Sequence, residues 1–268
     1  MMEVFAGTGG YANEDWVGII YPEGAKPSQY LPLYAKYFNA VELNMTFYVI
    51  PGRKAVEGIA RRSGSLKFAV KLHQSMSHDL SATREDYEAF FAVLEPLEKS
   101  GKIGVFLAQF PYRFHDTPEN RAYLEGLAEV FEGRRLAVEF RHWSWDREEA
   151  NRWLKGTGLF RVSTDYPPLR GLPRPRLYVS DGFAYVRLHG RNREKWWHGK
   201  DQRERHDYRY SYEELALWLN AIKGSLEELK ELWIIFNNTT KGHALYNLCM
   251  LKRMWPDLPT RIDEVLSC

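Results

Sequence analysis

Val41-Glu42-Leu43-Asn44-Met45-Thr46 alternates apolar and polar residues, and alternate side chains of a strand face opposite sides of its sheet. Val41, Leu43 and Met45 suit a layer of covering helices, so Glu42, Asn44 and Thr46 point the other way. Phe68-Ala69-Val70-Lys71-Leu72-His73 repeats the pattern. There Phe68, Val70 and Leu72 face outward, and Ala69, Lys71 and His73 face inward. Val138 and Phe140 face out while Glu139 and Arg141 face in. By the same alternation a sixth run turns Ser163 and Asp165 inward, and a seventh Tyr185, Arg187 and His189. Gln109 closes the fourth run and Asn237-Asn238 the eighth.

Eight such β-prone runs are predicted: Glu3–Thr8, Ala40–Asn44, Lys67–His73, Ile103–Gln109, Leu136–Arg141, Phe160–Asp165, Ala184–His189 and Leu232–Asn237. Each leads into a loop and then, in most cases, an amphipathic segment, the order of βα units rather than hairpins. Thr117-Pro118-Glu119 supplies an N-cap, a first-turn proline and an early acid. Ser211-Tyr212-Glu213-Glu214 has capping-box spacing. Pro27, Arg53, Thr83, Trp145 and Lys241 are expected to open further helices. Between the sixth and seventh runs Pro167, Pro168, Pro173 and Pro175 leave little room for one. Alternating strand and helix implies a parallel sheet, and eight units close it into a single (β/α)8 TIM barrel over residues 1–268. A doubly wound open sheet is the alternative. Gly7-Thr8-Gly9-Gly10 lacks the glycine spacing and helix start of a dinucleotide site, so neither NAD nor FAD is expected.

The length of 268 residues is that of one barrel, and 44% hydrophobic residues suffice for a large core. A net charge of +2 places no general demand for nucleic acid or a membrane. No apolar stretch approaches a membrane span and no signal peptide opens the chain, so a cytoplasmic protein is expected. Its two cysteines, Cys249 and Cys268, make no disulfide framework and are expected to be reduced thiols.

Charged side chains inside a barrel must be paired or hydrogen-bonded, and all of these lie at the strand ends where barrel enzymes work. Glu42 and Glu139 are the candidate acid and base, with His73, His189 and Asp165 as further catalytic groups. Lys71, Arg141, Arg187 and Arg191, with the amides of Asn44, Gln109, Asn237 and Asn238, make an anion pocket the first expectation. Glu42, Glu139, Asp165 and His189 are also acceptable ligands for a divalent metal. The neighbouring cations weigh against one, and no metal is firmly expected. Three readings follow. The leading one is an enzyme or binding barrel for a small anionic ligand, with phosphoester hydrolysis or isomerase-like chemistry. The others are a nucleic-acid-binding barrel and an ion-pair lattice that only holds the fold.

The segment Gly190–Tyr210 carries seven Lys/Arg against four Asp/Glu, interleaved with aromatic residues. Trp196, Trp197 and Tyr208 are its candidate lid or stacking residues, and such a mixture suits phosphates and bases as well as a solvated flap. Tyr112, Arg113, His115, Trp143 and Trp145 extend the same surface.

At these residues the chain resembles the YecE-like family, domain of unknown function 72, over nearly its whole length. The matching phrases run from Gly7-Thr8-Gly9-Gly10 and Tyr21-Pro22 through Val41-Glu42-Leu43-Asn44 with Thr46-Phe47-Tyr48, then Phe68-Ala69-Val70-Lys71 and Gln109-Phe110-Pro111. They continue with Ala137-Val138-Glu139-Phe140-Arg141-His142, Ser144-Trp145, Asp165, Tyr185-Val186-Arg187-Leu188-His189-Gly190-Arg191 and Phe236-Asn237-Asn238. The resemblance implies a TIM barrel and no particular reaction. The family's first turn usually reads Gly-Thr-Ser-Gly before Trp or Phe; here Gly9 replaces the serine and Tyr11 the larger aromatic.

Overall fold

All eight predicted runs pair in parallel with their neighbours, and the last returns to the first, in a computed structural model that describes residues 2–268. The strands of this closed barrel are β1 (Glu3–Thr8), β2 (Ala40–Leu43), β3 (Lys67–Lys71), β4 (Ile103–Gln109), β5 (Leu136–Glu139), β6 (Phe160–Asp165), β7 (Phe183–Leu188) and β8 (Glu231–Phe236). The helices are α1 (Pro27–Tyr34), α2 (Met45–Tyr48), α3 (Arg53–Arg62), α4 (Arg84–Lys99), α5 (Pro118–Val130), α6 (Glu148–Gly156), α7 (Gln202–Arg205), α8 (Tyr212–Lys223) and α9 (His243–Met254).

The start signals work as their chemistry requires. Thr117 Oγ1 accepts the Asn120 amide at the head of α5, and Ser211 and Glu214 exchange both bonds of a capping box at α8. Thr83 and Asp86 do the same at α4. Trp145 and Lys241 sit in 3-10 turns that precede α6 and α9. Among the described residues the proline-rich link between β6 and β7 has no helix.

Strand ends differ from the expectation by one or two residues. β2 stops at Leu43, because the chain turns into α2 and Thr46 Oγ1 donates to the carbonyls of Leu43 and Lys71. Thr46 therefore ties β2 to β3 rather than lining the barrel. β3 ends at Lys71 and β5 at Glu139, so His73 and Arg141 lie beyond the ladder.

Inside the barrel, Val105, Leu107, Val162, Phe183, Trp233 and Ile235 form an apolar plug with Phe5 and Phe160. Phe160 and Val162 belong to this inner cluster, which corrects the assignment of β6. Its polar residues Ser163 and Asp165 face outward, and Tyr166 points in. A one-residue change of parity moves every side chain to the other face. Here the strand's apolar set fills the barrel, whereas in β2, β3, β5 and β7 the apolar set lies beneath the helices. The cysteine expectation is also overturned: Cys249 of α9 and Cys268 are joined in a disulfide, with Cα atoms 6.0 Å apart. Two cysteines tie the tail to one helix. Among the described residues no helix is long and apolar enough to cross a membrane.

β1 and β2 pair only through Gly7↔Ala40 and Thr8↔Val41. A Cβ on Gly7 would lie 1.9 Å from the Ala40 carbonyl oxygen, and Tyr34 OH bridges the strands by accepting from Thr8 N and donating to Ala40 O. Gly7→Ala is expected to lower the free energy of unfolding by about 3 kcal/mol, since backbone must move to admit the methyl group. Gly126→Ala in α5, where the methyl meets nothing, should raise it by about 0.5–1 kcal/mol. Urea denaturation of the two variants measures both.

Candidate functional site

Above the apolar plug the inward positions turn polar, and one guanidinium organises them. Arg187 of β7 donates from Nε and Nη2 to the two oxygens of Glu42, at 2.8 and 2.6 Å, and from Nη1 to Glu139. Tyr185 OH adds a 2.6 Å bond to Glu42, and Tyr166 OH one of 2.5 Å to Glu139. His189 Nε2 lies 3.1 Å from Glu139, and its Nδ1 lies 3.1 Å from Asn237 Nδ2. Glu42, Glu139, Arg187 and His189 are all fully buried.

Burial alone would push the Glu139 carboxyl up, but Arg187 and His189 outweigh it and hold its pKa well below the ordinary 4.5. Burial lowers the His189 pKa, with Glu139 opposing and Arg187 adding to the effect. A neutral imidazole that donates from Nε2 to Glu139 and accepts at Nδ1 from Asn237 satisfies both contacts. Every carboxylate oxygen of Glu42 and Glu139 already accepts at least one hydrogen bond, so both acids are committed to the ring. Among the described residues no three His, Cys, Asp or Glu side chains are placed to hold a metal ion. The proposed ligand set of Glu42, Glu139, Asp165 and His189 is not a set.

Several other candidates go elsewhere. Asp165, on the outer face of β6, receives both Nε and Nη2 of Arg191 at 2.7 Å, Trp218 Nε1 at 2.6 Å and Tyr210 OH at 3.2 Å. Asp165 and Arg191 thus anchor the post-β7 loop to α8 and take no part in the ring. Asn238 Nδ2 donates to Tyr208 O and Asn247 Oδ1, a bracing role. His73 caps a 3-10 turn, its Nδ1 meeting Ser75 N and Oγ. His142 and Ser144 build the same turn after β5. Asn44 caps α2 by position and its Oδ1 is buried without a partner. Of the expected lid, Trp196 is buried against Tyr166, Trp197 is exposed, and Tyr208 OH donates to Glu214.

What remains open is a cleft of about 450 Å³ at the strand ends. Lys71, Gln109 and Arg141 line it from β3, β4 and β5, Phe47 and Tyr48 from α2, and Lys200 and Arg205 from the post-β7 loop. His78 and Arg113 also line it, with Asp79 and Asp201. Lys71 is 6% exposed and Gln109 2%. Among the described residues Lys71 and Arg141 form no ion pair, and the Nε atoms of Arg141 and Arg205 are buried without a partner. Lys71 Nζ lies 4.3 Å from the centre of the Phe47 ring. Burial, Arg187 and Arg141 lower its pKa to about 7 against the pull of Glu42 and Glu139. Burial, with Lys71, Arg141 and Arg113, takes His78 down to about 3. Burial and Arg141 lower the Arg205 pKa as well. In each, burial is the largest cause and neighbouring positive charge adds to it. A larger groove of about 660 Å³ lies between α4 and α5 on the outer wall, lined by Tyr87, Phe91, Tyr123 and Leu127, away from the strand ends.

The family model of the protein of unknown function DUF72 matches residues 5–264. The chain belongs to that family. This DUF72 chain is 30% identical over 261 residues to UPF0759 protein YunF of Bacillus subtilis, an alignment covering 91% of it and 92% of YunF. A DUF72 family protein of Thermotoga maritima shares its fold at a TM-score of 0.87 and 39% identity, over 95% of this chain and all of that one. One from Enterococcus faecalis matches at 0.83 and 25%, over 94% of this chain and 95% of the other.

His78, Arg205 and Tyr166 of the DUF72 chain were outside the site expected from sequence. Tyr166 follows the misjudged parity of β6, while His78 and Arg205 arrive on loops, where no periodicity announces direction. Arg187→Met should cost about 3–5 kcal/mol, because it leaves two carboxylates buried without their cation. The Glu139 pKa is depressed in the fold, so its stabilising share is complete above about pH 4.5 and fades as pH falls through the lower folded value. In Glu139→Gln the stability should therefore decline less steeply on acidification than in the unaltered protein, measured by denaturant midpoints from pH 7 to 3.

Proposed function

We propose that the strand-end cleft binds a small polar anion, a phosphorylated or carboxylated ligand, above a sealed ring that fixes its electrostatic potential. The observation that carries this reading is Lys71, a cation 6% exposed with no carboxylate partner, facing the cleft beside the equally unpaired Arg141. A buried ammonium without a counter-charge is costly, which is why Lys71 gives up its proton near pH 7, and an anionic ligand would supply the partner that holds the charged form. Arg141, Arg113 and Arg205 offer forked donors suited to phosphate or carboxylate oxygens, and Gln109 offers an amide. Asp201 is spent as the N-cap of α7, accepting the Glu204 amide at 3.0 Å.

For chemistry on such a ligand, as in phosphoester hydrolysis or an isomerase-like proton transfer, Lys71 is a cleft-lining group that exchanges a proton near neutral pH. Glu42, Glu139 and His189 then act as its electrostatic setting. The nucleic-acid reading of the basic loop has less support. Lys195 and Arg203 lie near Glu204 and Asp15, and Trp196 and His206 are buried.

Calorimetric titration with sulfate, whose charge is constant over the range, tests the site. Lys71→Met and Arg141→Met should each weaken binding about tenfold or more, the loss of one charge-assisted bond. Binding favours the charged amine, so affinity should be highest below pH 7 and fall as pH rises through 7 to 8.5, with net proton uptake at the higher pH. That dependence should vanish in Lys71→Met. Sulfate binding indifferent to both substitutions would end the proposal.

A further inference from the structure

Beside the cationic cleft stands a wall of aromatic rings that neither the anion site nor the core absorbs. Trp143 is 53% exposed, Trp197 46% and Tyr112 37%. Tyr112 meets Trp197 edge to face with centroids 5.0 Å apart, and His142 in the same manner at 5.0 Å. His142 stacks on His115 at 3.7 Å, and Trp143 lies 5.8 Å from His142. The Tyr112 hydroxyl packs at Gly171, where a Cβ would come within 2.2 Å of it. Tyr112 is thus wedged from several sides, and a surface held in place loses little conformational entropy on binding.

The chain joins this wall to the cleft. Tyr112 precedes Arg113, His142 follows Arg141, and Trp197 stands two residues before Gly199; Arg113, Arg141 and Gly199 all line the cleft. Tyr48 of α2, 55% exposed, brings a further ring to the same opening. Large rings left in water next to a nest of unpaired cations suit a ligand that is flat at one end and anionic at the other. A sugar phosphate presents one face of C–H groups. A nucleobase presents a plane to an indole and a polar rim to the exposed imidazole of His115, and it fits this surface better.

We propose that the ligand is a nucleotide, with its phosphate over Lys71 and Arg141 and its base stacked on the Trp197 indole that Tyr112 buttresses. This rests on the anion reading above and adds the chemical class of ligand.

Calorimetric titration of the full chain with sulfate, ribose 5-phosphate and adenosine 5′-monophosphate separates the two ideas. The nucleotide should bind at least about fivefold more tightly than ribose 5-phosphate, the low end of what one stacked base supplies. Trp197→Ala should remove that increment without changing sulfate affinity, and Trp197→Phe should restore most of it. Equal affinity for the two phosphates, or an increment that survives Trp197→Ala, would overturn the nucleotide assignment while leaving the anion site intact. A Trp197-dependent preference for ribose 5-phosphate would overturn it in favour of a sugar. Failure of all three probes to bind would remove the anion reading, and the nucleotide with it.

Discussion

Two carboxylates share one guanidinium at the centre of this barrel, and the polar layer of the structure follows from that shortage. Arg187 uses Nε, Nη1 and Nη2 on Glu42 and Glu139, a forked geometry that a lysine has no means to reproduce. Buried acids demand neutralisation, and each supplements the shared cation with a phenol: Tyr185 for Glu42, Tyr166 for Glu139. Burial and the adjacent carboxylates keep both phenols well above their ordinary pKa, so they remain donors. Contacts from β2 and β5 therefore converge on one side chain of β7, with Tyr166 reaching Glu139 from beyond β6. The ring is a registry device for the barrel's mouth as much as a charge arrangement.

The same ring governs what lies above it. Lys71 feels the positive charge of Arg187 and the negative charge of Glu42 and Glu139, but desolvation is the largest influence and drives its proton off toward neutrality. Had Lys71 joined the carboxylates directly, the barrel would contain a closed lattice and no accessible charge. Instead the carboxylate oxygens are filled by Arg187, the tyrosines and His189, and Lys71 lies against Phe47. The ion-paired ring and the unpaired amine of the cleft thus belong to separate cations, and substitutions at Arg187 and at Lys71 are expected to differ in kind.

Much of this was legible from alternation alone. The inward positions Glu42, Lys71, Glu139, Arg187 and His189 follow from strands whose apolar set faces the helices, and those strands obey the rule. β6 breaks it because its inner positions, Phe160 and Val162, complete the apolar plug, and nothing in Phe160-Arg161-Val162-Ser163-Thr164-Asp165 declares which set is covered. Asp165 was thereby placed in the ring although it lies under Trp218. His73 was lost for another reason. The motif His-x-Ser after a strand end builds a capped turn, at Ser75 and again at Ser144, and turn chemistry overrides strand parity. Loop-borne groups such as Arg205 and His78 reach the cleft through tertiary packing, for which the sequence has no period. The Cys249–Cys268 link was hidden because two cysteines without a framework carry no pairing signal.

Specificity for an incoming anion is easiest to understand by exclusion. A ligand carboxylate or phosphate that could reach Arg187 would compete with Glu42 and Glu139, and the barrel would loosen as it bound. Full burial of Arg187 and occupation of its three donor nitrogens prevent that exchange. Arg141 and Lys71 have no such prior commitment, so the anion proposed for the cleft would break no existing ion pair there. A rigid base with a cationic rim is the arrangement in which an anion's arrival stabilises the site without disturbing the fold that holds it.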